Sequence, residues 1–248
     1  MIKKNAFTLA EVLITLGIIG IVAAMTIPVL YSNINGLKYR TRFKKAISTM
    51  NQAGLMAQAQ YGYDFAGTDK ICPADRKTAG EQRPDVDMTF CALLNGTLSG
   101  HAYYGTITNL KRQTIDDKIL PYSLVTKDTI PNDYNTYLAY TLSDGMIVAF
   151  NPNAKSCELP MGVRLVQSML DGGSGTDLSK CRGFIDVNGV SLPNREVICS
   201  VGENKLESTS CVVKNNAGHM LDVYPVVFHD ATVEPASAAA AYVLDTSK

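Results

Sequence analysis

The apolar residues of the chain are concentrated at its N-terminus. Residues 7–30 contain a single charged side chain, Glu11, and the next charged residue along the chain is Lys38. A helix of these 24 residues would be about 36 Å long, at a rise of about 1.5 Å per residue. The hydrocarbon core of a bilayer is about 30 Å thick. The pattern therefore predicts a membrane-spanning helix over residues 7–30.

Two other interpretations of this segment fit its sequence less well. The apolar region of a cleaved secretory signal is typically about 7–15 residues long and ends in an A-x-A-like site. Ala23-Ala24-Met25 is a poor version of such a site. A core helix of a soluble domain usually has a polar side, whereas this segment is apolar on every side. We therefore favour a membrane span.

The helical pattern continues beyond the span. Apolar residues recur there at intervals of roughly three or four: Leu30, Ile34, Leu37, Phe43, Ile47 and Met50. This spacing predicts an amphipathic helix over residues 31–62. The same stretch carries a basic cluster: Lys38, Arg40, Arg42, Lys44 and Lys45. We expect most of the cluster to lie on a solvated face of the helix.

Residues 63–248 have a different pattern and are expected to form a head domain. They are rich in Gly, Asn, Asp, Ser, Thr and Pro. Residues 136–142 and 146–150 are β-prone and flank Ser143-Asp144-Gly145, which is typical of a hairpin turn. Further strands are predicted at 184–187, 196–201 and 221–228, and a second helix within 161–170. A long helix packed on a mostly antiparallel sheet is an α+β fold.

Composition and charge narrow the classes of function. The 248-residue chain is 46% hydrophobic and 19% charged, with 23 basic and 23 acidic residues. The hydrophobic content is enough for a packed core. The formal net charge of zero argues against a protein that holds nucleic acid by bulk electrostatics. Nucleic acid is therefore not an expected partner.

All of the cysteines lie in the predicted head: Cys72, Cys91, Cys157, Cys181, Cys199 and Cys211. None forms the C-x-x-C pair that is typical of zinc or thioredoxin-like sites. An even number of cysteines in a loop-rich exported domain is expected to oxidise. Six cysteines allow 15 pairings, among which we favour the three bridges between sequence neighbours, Cys72–Cys91, Cys157–Cys181 and Cys199–Cys211. Free thiols in a cytoplasmic domain are the alternative.

The residues that precede the span form a short basic leader. Met1-Ile-Lys-Lys-Asn-Ala6 is followed directly by Phe7-Thr-Leu-Ala-Glu11 and then the apolar run. This string resembles the leader and mature N-terminus of type IV pilins and type II secretion pseudopilins. Gly20 and Pro28 also stand at positions where that family often has Gly and Pro. The one departure is Ala6, because the family usually has Gly before the Phe.

The resemblance implies a route of processing and assembly. A prepilin peptidase would remove residues 1–6 by cutting between Ala6 and Phe7, and the new Phe7 amine would be methylated. The subunit would first lie in the inner (cytoplasmic) membrane as a single-pass protein with an extracytoplasmic head, and would then enter a pilus or pseudopilus. The implied partners are other pilin or pseudopilin subunits, the prepilin peptidase/methyltransferase, the inner-membrane assembly platform and membrane lipid.

The charges around the span favour the opposite orientation. The basic cluster contributes five positive residues after the span, whereas only Lys3 and Lys4 precede it. The positive-inside rule would therefore place the head in the cytoplasm. We nevertheless expect the head outside, because the resemblance requires it and because the cysteine framework makes sense only there.

Glu11 is the residue that the resemblance marks as functional. A carboxylate at the centre of a span costs about 2.5–3.5 kcal/mol on insertion scales, and less near an interface. Cleavage would create a cationic Phe7 amine, and the amine of one subunit would neutralise Glu11 of the next and set their register. Gly20 would allow close approach of neighbouring helices, and Pro28 would weaken the helix locally. The alternative is that Glu11 simply reaches the cytoplasmic headgroups.

Candidate chemistry in the head is sparse. Asp186 and Asn188 belong to an oxygen-rich stretch and are weak calcium candidates, but the full ligand spacing of an EF-hand is missing. Turn chemistry explains the same residues without a metal. No G-x-S-x-G, H-E-x-x-H or Walker A motif occurs in the chain. We therefore expect no metal, no cofactor and no enzymatic activity.

Together these patterns predict a structural subunit of a type IV pilus or of a type II secretion-like pseudopilus. The size of the head favours a minor pilin. The alternative is a monomeric membrane-anchored binding or adhesion module with its head outside the cytoplasm. A third interpretation is a secreted enzyme behind an uncleaved signal anchor, which would require a deep pocket with convergent titratable groups.

Overall fold

The computed structural model of the chain describes residues 8–114, 116–173, 175–213 and 221–246. The helices in this part of the chain are α1 (Leu9–Tyr61), α2 (Arg76–Gly80), α3 (Phe90–Thr97), α4 (Gln167–Leu170) and α5 (Ala238–Asp245). The strands are β1 (Ala102–Thr106), β2 (Lys111–Gln113), β3 (Ile119–Pro121), β4 (Leu138–Thr141), β5 (Ile147–Phe150), β6 (Arg182–Asp186), β7 (Val223–His229) and β8 (Thr232–Pro235).

The long helix α1 has an exposed first half and a second half that packs against the head. Its 53 residues correspond to a rod about 80 Å long. Gly62 ends the helix in the left-handed conformation, with φ 78°, which glycine adopts without steric cost. From Tyr39 onward one face is buried, at the three-or-four spacing of a helix: Tyr39, Phe43, Ala46, Ile47, Met50, Ala53 and Ala57.

The apolar positions that predict the amphipathic helix differ in burial. Phe43, Ile47 and Met50 are buried, whereas the Leu30 and Leu37 side chains are 60% and 59% exposed. Ile34 lies where the structure does not describe side chains. The buried face begins at Tyr39, where the head first covers the helix.

The centre of the head is a six-stranded antiparallel sheet in the order β1-β4-β5-β6-β7-β8. Strands β2 and β3 form a separate antiparallel pair. Helix α1 packs on one face of the large sheet, where the Phe43 ring stacks on Tyr224 with centroids 4.1 Å apart. A second apolar cluster, which includes Tyr122, Tyr137 and Phe184, covers the opposite face. The predicted α+β fold is confirmed.

Helix α1 approaches the backbone of the β7–β8 turn closely at a glycine. A Cβ on Gly54 would lie 2.5 Å from the carbonyl oxygen of Ala231, in the turn between β7 and β8. Nearby, the side-chain oxygen of Asn51 accepts a hydrogen bond of 2.6 Å from the backbone N–H of Val233. The helix therefore covers the edge strand β8 and satisfies one of its free donors.

Most of the strand predictions agree with the structure. The hairpin at 136–142 and 146–150 corresponds to β4 and β5, and the runs at 184–187 and 221–228 correspond to β6 and β7. The strand predicted at 196–201 is wrong. This segment makes only isolated bridges, because Glu196 is buried among backbone donors of another loop and Cys199 is tied back to Cys211.

The helix predicted within 161–170 is shorter than expected. Only α4, a single turn, forms there. Helices α2 and α3 were not predicted, and each begins at a side-chain cap, Asp75 and Thr89 respectively. These short helices depend on their caps and on tertiary packing more than on periodicity.

Three disulfides join the cysteines in the favoured sequential pairs. The Cα–Cα distances are 5.6 Å for Cys72–Cys91, 5.8 Å for Cys157–Cys181 and 5.3 Å for Cys199–Cys211. All three distances lie within the usual range for a disulfide. The bridges close loops of the head with sequence separations of 12, 19 and 24 residues, and a disulfide typically contributes about 2–4 kcal/mol to stability.

Two buried aspartates lie near one another in the head, where β6 ends and β7 begins. The Tyr122 hydroxyl donates to Asp186 at 2.7 Å, and the backbone N–H of Arg195 donates to Asp222 at 2.7 Å. Burial raises the pKa of Asp222 to about 6. Burial and the neighbouring Asp222 charge together raise the pKa of Asp186 well above its usual value. The folded head therefore binds protons that the unfolded chain releases.

This pair predicts that the head loses stability as the pH rises. An unfolded aspartate has a pKa of about 3.9. The stability that a raised aspartate pKa contributes is fully present below the pKa of the unfolded chain. It is lost as the pH rises through the pKa of the folded protein, which for Asp222 is about 6. We expect the free energy of unfolding to fall by on the order of 2–3 kcal/mol across this window.

The substitution Asp186→Asn tests the prediction. It keeps a polar partner for Tyr122 and removes one ionisable group, so the slope of stability against pH should become shallower. Urea unfolding measured from about pH 4.5 to about pH 8 reports that slope. Asp116→Asn, at an exposed position, is the matched control and should leave it unchanged. If the free energy of unfolding of Asp186→Asn varied with pH as steeply as that of the wild type, the prediction would be contradicted.

Candidate functional site

The N-terminal part of α1 is an exposed apolar surface. Residues Leu9–Ile27 have a mean hydropathy of 2.2, and none of this window is buried inside the protein. Large side chains such as Leu13 and Ile19 are more than half exposed. Contiguous apolar surface of this size is unfavourable in water and is typical of a membrane or protein contact. The length and composition suffice for one membrane crossing.

The helix starts with a capping box. Thr8 is the N-cap, and its side chain accepts a hydrogen bond of 3.3 Å from the backbone N–H of Glu11. In return, the Glu11 carboxylate accepts from the backbone N–H of Thr8 at 2.8 Å and from the Thr8 hydroxyl at 2.9 Å. The charge of Glu11 is therefore held at the N-terminal end of the helix rather than pointing along the span.

The remaining polar groups of the span are satisfied within the helix. The Thr15 hydroxyl donates to the carbonyl of Glu11 at 2.9 Å, and the Thr26 hydroxyl donates to the carbonyl of Val22 at 3.0 Å. Such internal bonds are what a lipid environment requires, because lipid tails offer no partners. The backbone is helical through Gly20 and Pro28, and a Cβ added at Gly20 would meet nothing within 4 Å. The face at Gly20 is therefore open to another helix.

Part of the basic cluster makes contacts between helix α1 and the head. The Lys45 ammonium lies 2.8 Å from the Asp144 carboxylate, and Arg42 donates to the Asp144 carbonyl at 2.6 Å. Lys44 donates to the carbonyl of Thr246 at 3.5 Å. Lys45 is still 61% exposed, as a solvated face predicts, whereas Arg42 and Lys44 are partly buried.

The predicted site residues fall into two groups. Ala6 and Phe7, the expected cleavage and methylation site, lie outside the described residues. Glu11, Gly20 and Pro28 lie on α1. Thr8 is not among the predicted site residues, although the spacing Thr8-x-x-Glu11 before an apolar run is the signature of a capping box and could have revealed it.

The calcium candidates are used by the local turn. The buried Asp186 carboxylate accepts from the backbone N–H of Asn188 at 2.9 Å, and the Asn188 amide donates to the carbonyl of Leu192 at 2.9 Å. Turn chemistry thus accounts for both residues. Among the residues that the structure describes, no three His, Cys, Asp or Glu side chains come together as a candidate metal site.

The comparisons with known proteins identify the N-terminal segment. Residues 1–27 match the family model described as the prokaryotic N-terminal methylation motif. This segment is therefore a type IV pilin-like prepilin segment, as the resemblance indicated. The motif implies processing by a prepilin peptidase and assembly with other pilin-type subunits. No curated protein matches the chain. No solved structure matches it either.

The residues that match the family model include those that form the exposed apolar surface of α1. The motif covers the leader and the whole of the exposed apolar window Leu9–Ile27. The motif is typical of structural pilin-like proteins rather than of enzymes. The N-terminal segment is thus of the pilin- or pseudopilin-precursor type, and its apolar helix indicates membrane anchoring.

Proposed function

We propose that the protein is a minor subunit of a type IV pilus or of a type II secretion-like pseudopilus, with a structural rather than an enzymatic role. After cleavage between Ala6 and Phe7, it would leave the inner membrane and enter a filament. The observation that carries this proposal is the exposed apolar helix Leu9–Ile27, which lies within the methylation motif. Such a helix needs an apolar environment, and a bundle of identical helices supplies one after the lipid is left behind.

The position of Glu11 supports an assembly role for its charge. Its carboxylate lies at the first turn of α1, beside Thr8, and the freed amine of Phe7 would be generated at the same end of the helix. Pairing that amine with Glu11 of a neighbouring subunit would convert two unpaired charges in a low dielectric into one pair. Since the pair forms at only one axial offset, it would specify register more than add stability.

The contrast between the exposed and the packed parts of α1 also supports assembly into a filament. The window Leu9–Ile27 is free of contacts that would bury it, whereas the part of α1 from Tyr39 onward is packed on the head. Close packing of the free halves would place the heads on the outside of a filament. Disulfides stabilise those heads in the oxidising extracytoplasmic environment.

Shear fractionation of native cells tests the proposal. The proposal predicts that the chain is recovered with sheared filaments, or with filaments formed when the secretion pseudopilus is overproduced. A membrane-anchored binding module, the alternative, predicts that all of the chain stays with the inner membrane under both conditions. Recovery only in the membrane fraction, in cells that do make filaments, would contradict the proposal.

A further inference from the structure

The basic cluster contains every charged residue of α1 that follows Glu11. Residues 12–63 include no acidic residue, and their five basic residues all fall between Lys38 and Lys45. The uncharged stretch before the cluster, residues 12–37, corresponds to about 39 Å of helix. A hydrocarbon core of about 30 Å and one headgroup layer of about 5–7 Å together have a similar length. The cluster therefore begins close to the outer edge of the headgroups.

The basic side chains surround the helix at this level. Successive residues of an α-helix are about 100° apart, which places Lys38, Arg42 and Lys45 together on one side. Arg40 and Lys44 lie on the opposite side by the same geometry. The Cα–Cβ bonds of a helix tilt toward its N-terminus, so these long side chains lean back toward the membrane-spanning part of α1.

The parts of the head that meet the cluster carry less charge of the opposite sign. The Lys45 ammonium pairs with Asp144, in the turn between β4 and β5. Lys44 donates to the backbone carbonyl of Thr246, which follows the exposed Asp245 at the end of α5. Even when both aspartates are counted, five positive charges face two negative ones. This end of the head therefore has an excess of three positive charges.

Several members of the cluster have no acidic partner in the head. Within the described part of the chain, no carboxylate lies within 4 Å of Lys38, Arg40 or Lys44, whereas Lys45 has Asp144 at 2.8 Å. The Lys38 side chain is exposed, and that of Lys44 is partly exposed. These two lysines are the members of the cluster that are free to meet an external anion.

The position of the cluster indicates which anion it would meet. When α1 is anchored in a bilayer, the phosphates of the headgroups lie next to these side chains. The cluster extends along about 10 Å of helix, which is close to one Debye length at physiological salt. A group of four to eight Lys and Arg residues next to a membrane-spanning helix is typical of a surface that binds anionic lipid.

We propose that the basic cluster binds the anionic phospholipid headgroups of the membrane in which α1 is anchored. This proposal rests on the proposed membrane anchoring, but not on filament assembly. It holds for either orientation of the chain, because the cluster adjoins the span in both. Entry into a filament would break the contacts between the cluster and the lipid, so anionic lipid would favour the membrane-resident state of the subunit.

The lipid selectivity of the full-length chain tests the proposal. The chain is reconstituted in phosphatidylcholine bilayers that contain traces of spin-labelled phosphatidylglycerol or spin-labelled phosphatidylcholine. Electron paramagnetic resonance then reports the fraction of each label that is immobilised beside the protein. We expect phosphatidylglycerol to associate about twofold or more strongly at low salt, and the preference to disappear at about 1 M salt. Equal association of the two lipids at low salt would overturn the proposal.

A pair of double variants locates the preference. Lys38→Gln with Lys44→Gln removes two charges of the cluster that have no acidic partner, and should reduce the preference for phosphatidylglycerol by about half or more. Lys155→Gln with Lys180→Gln removes the same charge from exposed positions at the other end of β5 and β6, and should leave the preference unchanged.

The comparison between the two double variants is decisive. The two lysines of the leader lie at the opposite end of the span and could attract the same lipid, but they are present in both variants. An equal preference for phosphatidylglycerol in the two variants would therefore overturn the proposal. Neither result affects the shear fractionation that tests filament assembly, so the two proposals fail independently.

Discussion

Glu11→Gln is expected to reduce incorporation into filaments about tenfold or more while leaving membrane insertion unchanged. Glutamine at this position still accepts from Thr8, so the capping box and the start of the helix are retained. What is lost is the negative charge that would pair with the Phe7 amine of the neighbouring subunit. The fraction of the chain in sheared filaments, relative to the membrane fraction, measures the effect.

The control for this variant is Thr8→Ser. Serine keeps a hydroxyl that can cap the helix and receive the backbone N–H of Glu11, and it leaves the charge of Glu11 in place. It should therefore assemble at close to the wild-type level. Normal filament yield from Glu11→Gln would mean that the charge of Glu11 does not set register. Loss of membrane insertion would mean that the variant acts before assembly.

Phe43→Ala should lower the free energy of unfolding of the head by about 3–5 kcal/mol. The Phe43 ring is fully buried and stacks on Tyr224 at 4.1 Å with an interplanar angle of 13°. Truncation would leave a cavity between α1 and the sheet, which are the two layers of the fold. Because the chain has no Trp, the near-ultraviolet circular dichroism of its tyrosines is a suitable signal for urea unfolding.

Leu37→Ala is the matched control on the same helix. Its side chain is 59% exposed, so its truncation should change stability by no more than about 0.5 kcal/mol. Equal losses from Phe43→Ala and Leu37→Ala would contradict the boundary that the structure sets between free and packed halves of α1.

The sequence alone predicts those parts of the fold that depend on local pattern. The continuous apolar run predicts the exposed apolar helix at the start of α1, and the turn Ser143-Asp144-Gly145 between two β-prone runs predicts the hairpin of β4 and β5. The capping spacing from Thr8 to Glu11 is equally local and could have been used. In each case the residues that determine the structure are close together in the chain.

The sequence could not predict features that depend on distant contacts. The segment 196–201 has strand-like residues, but buried bonds from Glu196 to the loop at 128–130 determine its conformation. The burial of Arg182 likewise depends on distant segments, because its guanidinium donates to the carbonyls of Leu170 and Thr129. A lone Arg at the start of a strand carries no pattern that reveals its burial. The same holds for the position on α1 at which the buried face begins, which depends on where the head first covers the helix.

Mass spectrometry of the N-terminus of native chain, isolated from sheared filaments, is the most direct measurement of the assembly proposal. We predict a mature protein that begins at Phe7 with an N-methylated amine, so that a cation stands beside the capping box of Thr8 and Glu11. A chain that still carries Met1 to Ala6 would have no Phe7 amine to pair with Glu11. That result would contradict the proposal that a freed N-terminus and an acidic partner drive the packing of these helices.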